Sequence, residues 1–228
     1  MSNLTVIIPC LDEERTLPDL LPLLDRTLDQ VVVVDGGSRD RTVEVAGQVP
    51  GVEVLQTDCP RARQMNAGAA VAREEILFFL HADAIPPVGY GQHIREALVD
   101  PENVGGAFSL EIDSPRLVAR VVSAAARLRS RLTGYPYGDQ GLFVRRSVFH
   151  ALGGFAPLPF MEDLDFSYRL ARRGRVRLLA DRIRVSSRRW QAQGYLQTTV
   201  RNTVLAACFY LGIETRSLAH WVKPERGP

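Results

Sequence analysis

The stretch LFFLHADAIPP, residues 77–87, ends an apolar run with a triplet that could bind a metal ion. On an extended strand end, side chains two residues apart project to the same side, so His81 and Asp83 would face one ligand together. A carboxylate, an imidazole, diphosphate oxygens and water can fill an octahedral shell, and imidazole suits Mn²⁺ better than Mg²⁺. The triplet therefore predicts a metal–diphosphate site, and the alternative is that His81 is a hydrogen-bonded structural residue.

A second candidate is CPRARQMNAGAA, residues 59–70, where Pro60 suits the first position of a helix. Arg61 and Arg63 then fall in the first turn, where cations oppose the helix dipole unless an anion lies in front of the helix. The pattern predicts either a phosphate at this helix end or two arginines paired with local acids. The small residues that follow predict a helix pressed closely against a sheet.

A third candidate is VVVVDGGSRDRT, residues 31–42, a buried strand followed by two glycines. Asp35 at the strand end could accept a hydrogen bond from a base or ribose, and Ser38 is predicted to cap the following helix. The alternative is a well-made strand-to-helix turn without a ligand. The pattern GxGxxG is absent, and a P-loop is excluded because the one lysine is Lys223.

A fourth candidate is FMEDLDFSYRLARRG, residues 160–174, a helix that begins with three acids. Acids suit a helix N-terminus without any function, and Asp165 and Arg169 are spaced as an ordinary intrahelical ion pair. Glu162 and Asp163 follow a glycine- and proline-rich loop that could lie over a pocket. A carboxylate in that position could take a proton from a hydroxyl group of a substrate.

Strands and helices alternate in the first hundred residues and would bring these groups together. Near-continuous apolar runs predict strands at 4–10, 30–37, 52–57 and 76–81, with helices at 14–28, 39–48 and 60–73 between them. Such runs are typical of a parallel sheet covered on both faces, in which ligands bind at the carboxyl ends of the strands. The fold class is therefore α/β, with a mostly parallel nucleotide-binding sheet flanked by helices.

The pattern changes after residue 103 and predicts a smaller, acceptor-side half. Strands are expected at 104–112, 141–146, 176–179 and 183–186, and helices at 115–132, 162–173 and 195–213. We expect one domain over 1–228, with a nucleotide-type half at about 1–103 and an acceptor-type half with a C-terminal helix at about 104–228.

Composition fits a single globular domain, since 46% of the 228 residues are hydrophobic and 24% are charged. A formal charge of +2 gives no reason to expect nucleic acid. The three cysteines have neither zinc-binding nor disulfide spacing. The longest apolar run near the C-terminus, VLAACFYLGI, is about half of the roughly 20 residues that span a bilayer. With no signal-peptide pattern at the N-terminus, we expect a cytoplasmic protein, with contact to the inner membrane face left open.

The predicted helix at 115–132 carries Arg116, Arg120, Arg127 and Arg131 on one stripe, beside a stripe of Leu and Val. A basic amphipathic helix can rest on anionic lipid, although a solvated face over a core stripe is the commoner arrangement. Asp139 and Gln140 could bind sugar or acceptor hydroxyls or could be turn residues. The last helix is expected to provide packing or a homodimer surface.

These segments together resemble family 2 of the glycosyltransferases, which have the GT-A fold, over most of the chain. VIIPCLDEE is similar to the first strand of that family, VVVVDGGSRDRT to its DDGSxDxT segment, HAD to its DxD site and MEDLDF to its ED motif. HAD, YGDQGLFVRR and SSRRW also resemble a small bacterial subgroup, the radical-SAM/selenodomain-associated or arsenosugar-type transferases. Gly36 and His81 each replace an acid of the family pattern.

The resemblance implies a role for each matching position. Asp163 would be the general base with Glu162 beside it, Asp35 would contact the base, Arg61 the nucleotide, and Asp83 with His81 a Mn²⁺ or Mg²⁺ ion. Further donor contacts are implied for Pro9, Glu13, Asn66 and Ala82. Arg189 and Trp190 match the end of the QxxRW motif of processive members, but Ser186 replaces the glutamine, so non-processive transfer is expected.

The implied reaction is inverting transfer from a UDP- or GDP-linked sugar to a hydroxyl acceptor. Two alternatives stay open. One is a degenerate family member that binds a nucleotide without transfer. The other is a sugar-phosphate nucleotidyltransferase, which the acidic loop CLDEERT after the first strand disfavours because it would face a triphosphate.

Overall fold

The computed structural model describes residues 3–27, 29–58 and 60–213, and for Arg189 the backbone alone. The strands are β1 (Leu4–Cys10), β2 (Gln30–Asp35), β3 (Val52–Gln56), β4 (Ile76–Phe79), β5 (Ala84–Ile85), β6 (Asn103–Asp113), β7 (Leu142–Arg145) and β8 (Arg175–Ser186). The helices are α1 (Leu17–Leu20), α2 (Thr42–Gly47), α3 (Arg61–Ala70), α4 (Tyr90–Ala97), α5 (Leu117–Thr133), α6 (Arg146–Ala151), α7 (Glu162–Ala171), α8 (Arg188–Gln193) and α9 (Tyr195–Tyr210).

In the described part of the chain the strands form one sheet in the order β3-β2-β1-β4-β7-β6-β8-β5. The pairs β1–β2, β1–β4, β2–β3 and β6–β8 are parallel, whereas β7 is antiparallel to both its neighbours and β5 is antiparallel to β8. The predicted α/β class with a mostly parallel sheet flanked by helices is confirmed. The sheet joins both predicted halves, and their boundary near residue 103 stays a prediction.

The strands of the parallel core are buried on both faces, as their continuous Val, Ile and Leu runs predict. Helix α3 covers one face at close range because Gly68 has no side chain. A Cβ atom at Gly68 would lie 2.5 Å from Ile7 Cγ2 and 3.1 Å from Val34 Cγ2. The small residues of this segment therefore set the distance between α3 and the sheet, as the sequence predicts.

Three predicted elements differ in the structure. The single helix predicted at 14–28 is not formed. Pro18 and Pro22 each lack the backbone N–H that a continuing helix needs, so the short helix α1 is followed by a single 3₁₀ turn at Leu21–Leu23. The two strands predicted at 176–179 and 183–186 are one strand, β8. Helices α4 and α6 were not predicted from the sequence, since both are too short to show a clear period.

Within the described residues, no helix is long and apolar enough to cross a bilayer. The last helix, α9, ends at Tyr210 and is shorter than the predicted 195–213. Helix α5 agrees with its prediction to within two residues at each end.

Candidate active site

A cavity of about 350 Å³ opens at the carboxyl ends of β1 and β4, where α3 and α7 begin. Six residues predicted to bind the donor or the metal line this cavity, together with one predicted acceptor contact: Pro9, Glu13, Arg61, His81, Ala82, Asp83 and Asp139. Glu162 and Asp163 line the same cavity. Parallel strands expose their carboxyl ends at one edge, so residues far apart in sequence meet there.

Arg61, the first residue of α3, is held by Glu162, the first residue of α7. Arg61 Nε donates to Glu162 Oε1 at 2.6 Å, and the Glu162 side chain is only 3% exposed. His81 Nε2 lies 3.5 Å from Arg61 Nη1. Glu162 therefore orients a guanidinium inside the cavity, where it can meet an anionic ligand.

Asp163 is fixed by backbone donors rather than by a cation. Gly138 N donates to Asp163 Oδ2 at 2.6 Å, and Leu164 N donates to Asp163 Oδ1 at 2.8 Å. The chain approaches closely here, since a Cβ atom at Gly138 would lie 2.9 Å from Asp163 Oδ2 and 3.3 Å from His81 Nε2. Met161 precedes α7 with a φ of 63°, a left-handed conformation that aims this helix start at the cavity.

The residues at the predicted metal site supply few ligands. Asp83 and His81 both line the cavity, and Asp83 is close enough to Glu13 to affect its titration. In the described residues, no group of three or more His, Cys, Asp or Glu side chains could hold a metal ion. A divalent ion fits here only if ligand oxygens, such as those of a diphosphate, complete its coordination shell.

Burial raises the pKa of the Glu13 carboxyl above its ordinary value. The Thr16 hydroxyl, which donates to Glu13 Oε2 at 2.6 Å, acts in the opposite direction, and nearby Asp83 adds to the rise. Arg188 Nη2 lies 3.8 Å from the same oxygen and opposes it. On its β1–β4 side the cavity thus holds the carboxyl groups of Glu13 and Asp83, and the charge of Asp83 helps to raise the pKa of Glu13.

Asp35 lies at the end of β2 but does not line the cavity. Both its carboxylate oxygens accept hydrogen bonds from the following turn, from Gly37 N at 2.9 Å and from Ser38 N and its hydroxyl. Ser38 does not cap α2 as predicted, because α2 begins only at Thr42 and has Arg41 at its N-cap position. The Ser38 hydroxyl instead accepts from Asp12 N at 2.8 Å. The structure therefore shows the well-made turn, and the contact of Asp35 with a base stays a prediction.

Three other predicted residues have packing roles and do not line the cavity. Asn66 clamps a loop, donating to Phe155 O and accepting from Phe155 N, each at 2.9 Å. Gln140 is buried, accepts from Ser130 Oγ at 2.7 Å and donates to Phe108 O at 3.0 Å. Trp190 is buried in the main hydrophobic core. Their direct contacts with donor or acceptor stay predictions.

The remaining predictions have mixed outcomes. The side chain of Arg189 lies outside the described part of the chain. Arg63 is exposed and pairs with Asp58 at 3.4 Å, which is the local pairing that the sequence left open for both arginines. Arg61 instead pairs with Glu162, which is distant in sequence. The ion pair of Asp165 and Arg169 is confirmed at 2.6 Å. Arg127 does not belong to the exposed basic stripe, because it turns inward and donates to Leu110 O at 3.0 Å.

Several cavity residues were not predicted. Gln64 is buried and donates to Cys10 O at 2.7 Å and Val34 O at 2.8 Å, so it ties the ends of β1 and β2 together. Tyr137 lines the cavity with Arg129 stacked 3.4 Å from its ring centroid. Arg201 and Asn202 reach the cavity from α9. The signal for the last pair was Arg201, the one charged residue of α9, with Asn202 beside it.

The family model described as Glycosyl transferase family 2 matches residues 5–158. The chain is 29% identical over 131 residues to glucosyl-3-phosphoglycerate synthase of Mycolicibacterium paratuberculosis, covering 46% of this chain and 40% of that protein. It is 29% identical over 164 residues to undecaprenyl-phosphate 4-deoxy-4-formamido-L-arabinose transferase of Pseudomonas paraeruginosa, covering 65% and 48%. Succinoglycan biosynthesis protein ExoA of Rhizobium meliloti is 27% identical over 196 residues, covering 74% and 58%.

Solved structures share the fold at low identity. Residues 1–349 of S. aureus TarS superpose with a TM-score of 0.66 at 16% identity, covering 87% of this chain and 63% of that chain. The same region in complex with UDP-GlcNAc gives 0.66 at 17% identity, covering 82% and 59%. The chain spans about half the length of the curated relatives it matches.

Proposed function

The chain belongs to glycosyl transferase family 2, and we propose that it transfers a sugar from a nucleoside-diphosphate sugar to a hydroxyl acceptor, with inversion and without processive synthesis. The observation that carries this proposal is the meeting of Arg61, Asp83 and Asp163 around one cavity at the carboxyl ends of the sheet. A cation for the diphosphate and a fixed carboxylate for the acceptor are the two groups that the reaction needs.

A nucleotide sugar is the donor that the relatives support. The TarS fold neighbour was solved with UDP-GlcNAc, and two of the curated relatives are named as a glycosyl synthase and a sugar transferase. We propose a UDP- or GDP-linked donor on this basis. Membership of the radical-SAM-associated or arsenosugar-type subgroup remains a proposal from the motifs HAD, YGDQGLFVRR and SSRRW.

In the proposed reaction the acceptor oxygen attacks the anomeric carbon from the side opposite the leaving group. A bond forms between these two atoms, the bond from that carbon to the diphosphate oxygen breaks, and the hydroxyl proton passes to Asp163. The nucleoside diphosphate leaves with the electron pair. Arg61, held by Glu162, offsets the charge that grows on the departing diphosphate.

Asp83 and His81 would hold a Mn²⁺ or Mg²⁺ ion together with the donor. When bound, such an ion supplies positive charge to the diphosphate oxygens. His81 also lies beside Arg61, so an ion held by His81 would place its positive charge next to that of the Arg61 guanidinium. Asp139 lines the cavity and is the proposed acceptor contact among the predicted polar residues.

Release of nucleoside diphosphate from a panel of UDP- and GDP-sugars tests the proposal, with and without Mn²⁺. Release from one nucleotide sugar would support it. Nucleotide binding without release would point to a degenerate family member. Pyrophosphate formation from a nucleoside triphosphate and a sugar phosphate would replace the proposal with nucleotidyl transfer.

A further inference from the structure

Helices α5 and α9 pack against each other, and each exposes a row of large apolar residues, although α9 also buries Tyr195 and Leu205. On α5 the exposed stripe is spaced by four, four, three and four residues: Leu117, Val121, Ala125, Leu128 and Leu132. The same spacing on α9 gives Leu196, Val200, Val204 and Ala207, and Leu211 continues it directly after the helix. The residues that α5 buries are small, Ala119, Ser123 and Ser130. We call the two stripes together the α5/α9 face.

Exposure on this face is high, at 71% for Leu117, 59% for Leu128, 75% for Leu196 and 80% for Leu211. Exposed apolar residues in such number on two neighbouring helices mark an interaction site. Its charge is one-sided, since neither helix carries an Asp or Glu, while Arg116, Arg120 and Arg131 are exposed along α5. Apolar stripes beside arginines and without acids are typical of helices that lie in the interface of an anionic bilayer.

The α5/α9 face adjoins the cavity through α9. Arg201 and Asn202 line the cavity. Val200, which directly precedes Arg201, and Val204, about one turn after it, belong to the exposed stripe. Arg201 Nε is buried and has no hydrogen-bond partner among the described residues. Asp139 and Asp163 line the same cavity as Arg201.

Resting on the proposed glycosyl transfer, we propose that the acceptor is an anionic lipid with a hydroxyl-bearing head group. Arg201 binds its phosphate, the hydroxyl lies toward Asp163, and the α5/α9 face sits on the bilayer that contains the lipid. A guanidinium with an unused buried donor fits a phosphate oxygen. A second copy of the chain fits the face less well, because it would bring the same arginines together and neither helix supplies a carboxylate.

Membrane docking is tested by sedimentation of the full chain with vesicles in low salt. The wild-type protein is expected to sediment with phosphatidylglycerol vesicles and to stay in the supernatant with phosphatidylcholine vesicles. The double variant Leu128→Gln/Val200→Gln should lose at least about tenfold in the bound-to-free ratio, by loss of buried apolar area. Val99→Gln changes a valine outside both helices that is even more exposed, at 79%, and should bind as the wild type does. Equal recovery with both lipids, or a double variant that binds normally, would overturn the docking.

Self-association is a distinct outcome of the same variants. If gel filtration without lipid shows a wild-type dimer that Leu128→Gln/Val200→Gln converts to a monomer, the face joins two copies and the lipid proposal is wrong. The lipid proposal is supported if the wild type and the double variant have the same apparent mass and only the wild type binds the vesicles.

The phosphate contact is tested by calorimetry with dihexanoylphosphatidylglycerol, a soluble lipid with a phosphate and hydroxyls in its head group. Arg201→Gln should weaken this lipid about tenfold through loss of a charged hydrogen bond, while vesicle sedimentation is unchanged. Competition by inorganic phosphate at the same concentration would show that free phosphate alone occupies the site and would overturn the lipid assignment. An unchanged affinity in Arg201→Gln would overturn the contact.

These results separate this proposal from the glycosyl transfer itself. If a UDP- or GDP-sugar binds and releases its nucleoside diphosphate but neither lipid test succeeds, the acceptor assignment fails and the transferase proposal stands. If no nucleotide sugar binds or reacts, the transferase proposal fails, whatever the vesicles show.

Discussion

Arg61 and Glu162 are 101 residues apart in the chain, and their side chains meet at 2.6 Å inside the candidate active site. Each is the first residue of its helix, so this one ion pair joins the start of α3 to the start of α7. The guanidinium is 34% exposed and the carboxylate 3%. The buried acid therefore holds in place a cation that lines the cavity.

Arg61→Ala is expected to destabilise the fold, because it leaves the buried Glu162 carboxylate without its cation. Breaking a buried pair costs about 3–5 kcal/mol, and the partial exposure of Arg61 reduces the expected loss to about 2–3 kcal/mol. Urea unfolding measures this difference. Arg63→Ala is the matched control, since Arg63 pairs at the surface and should change the free energy of unfolding by no more than about 0.5 kcal/mol. Equal effects of the two variants would contradict the account.

Gly138→Ala should lower transfer activity by about tenfold or more and leave nucleotide affinity nearly unchanged. The added Cβ atom would lie 2.9 Å from Asp163 Oδ2, so the carboxylate must shift from its position, and small displacements of a reacting group are costly. Turnover and calorimetry on the same preparation separate the two effects. Gly47→Ala is the control, because its Cβ atom would have nothing within 4 Å. Full activity of Gly138→Ala would show that the position of Asp163 does not matter.

Nucleotide-sugar affinity should rise as pH falls through the raised pKa of Glu13. The raised pKa of Glu13 means that its carboxyl takes up a proton at a higher pH than an ordinary glutamate does. Protonation removes a negative charge from the cavity that receives the diphosphate, so acid strengthens binding and alkali weakens it. In Glu13→Gln the affinity should be higher at neutral pH and should change less with pH. If the affinities of the wild type and of Glu13→Gln change with pH in parallel, Glu13 is not the cause of the pH dependence.

Metal dependence is tested at Asp83. If a divalent ion joins Asp83 to the diphosphate, Mn²⁺ should strengthen binding of UDP or GDP to the wild type by about tenfold or more, and Asp83→Ala should bind equally with and without Mn²⁺. His81→Ala should retain part of the Mn²⁺ effect, since imidazole is the second ligand. Calorimetric titrations with each nucleotide measure both. An undiminished Mn²⁺ effect in Asp83→Ala would place the ion elsewhere.

The sequence predicted the parallel core and the edge on which the site lies, because strand period and Val/Ile content report burial directly. It also predicted that Arg61, Asp83 and Asp163 share a site. It did not predict that Glu162 pairs with Arg61 or that Gly138 fixes Asp163, since both contacts join segments separated by many residues. The last helix was expected to provide packing or a homodimer surface, and the place of Arg201 in the cavity was not predicted, because helical spacing alone does not say which neighbour a polar residue faces.

Some residues predicted to contact a ligand instead make packing contacts that a sequence motif does not reveal. Asn66 and Gln140 look like ligand contacts in one dimension, yet their amides are engaged by the backbone of Phe155 and Phe108. Pro18 and Pro22 broke a helix that apolar spacing alone predicted. Local propensity and long-range contacts thus decided the points at which periodicity failed.

The most direct measurement of the central claim compares wild-type protein with Asp163→Asn on the nucleotide sugar that the donor panel identifies. The asparagine keeps the shape of the side chain and removes its ability to take a proton. The account predicts that release of nucleoside diphosphate falls by at least about 10²-fold while donor affinity by calorimetry stays within about threefold. Turnover near the wild-type rate would contradict the assignment of Asp163 as the base, and with it the proposed transfer mechanism.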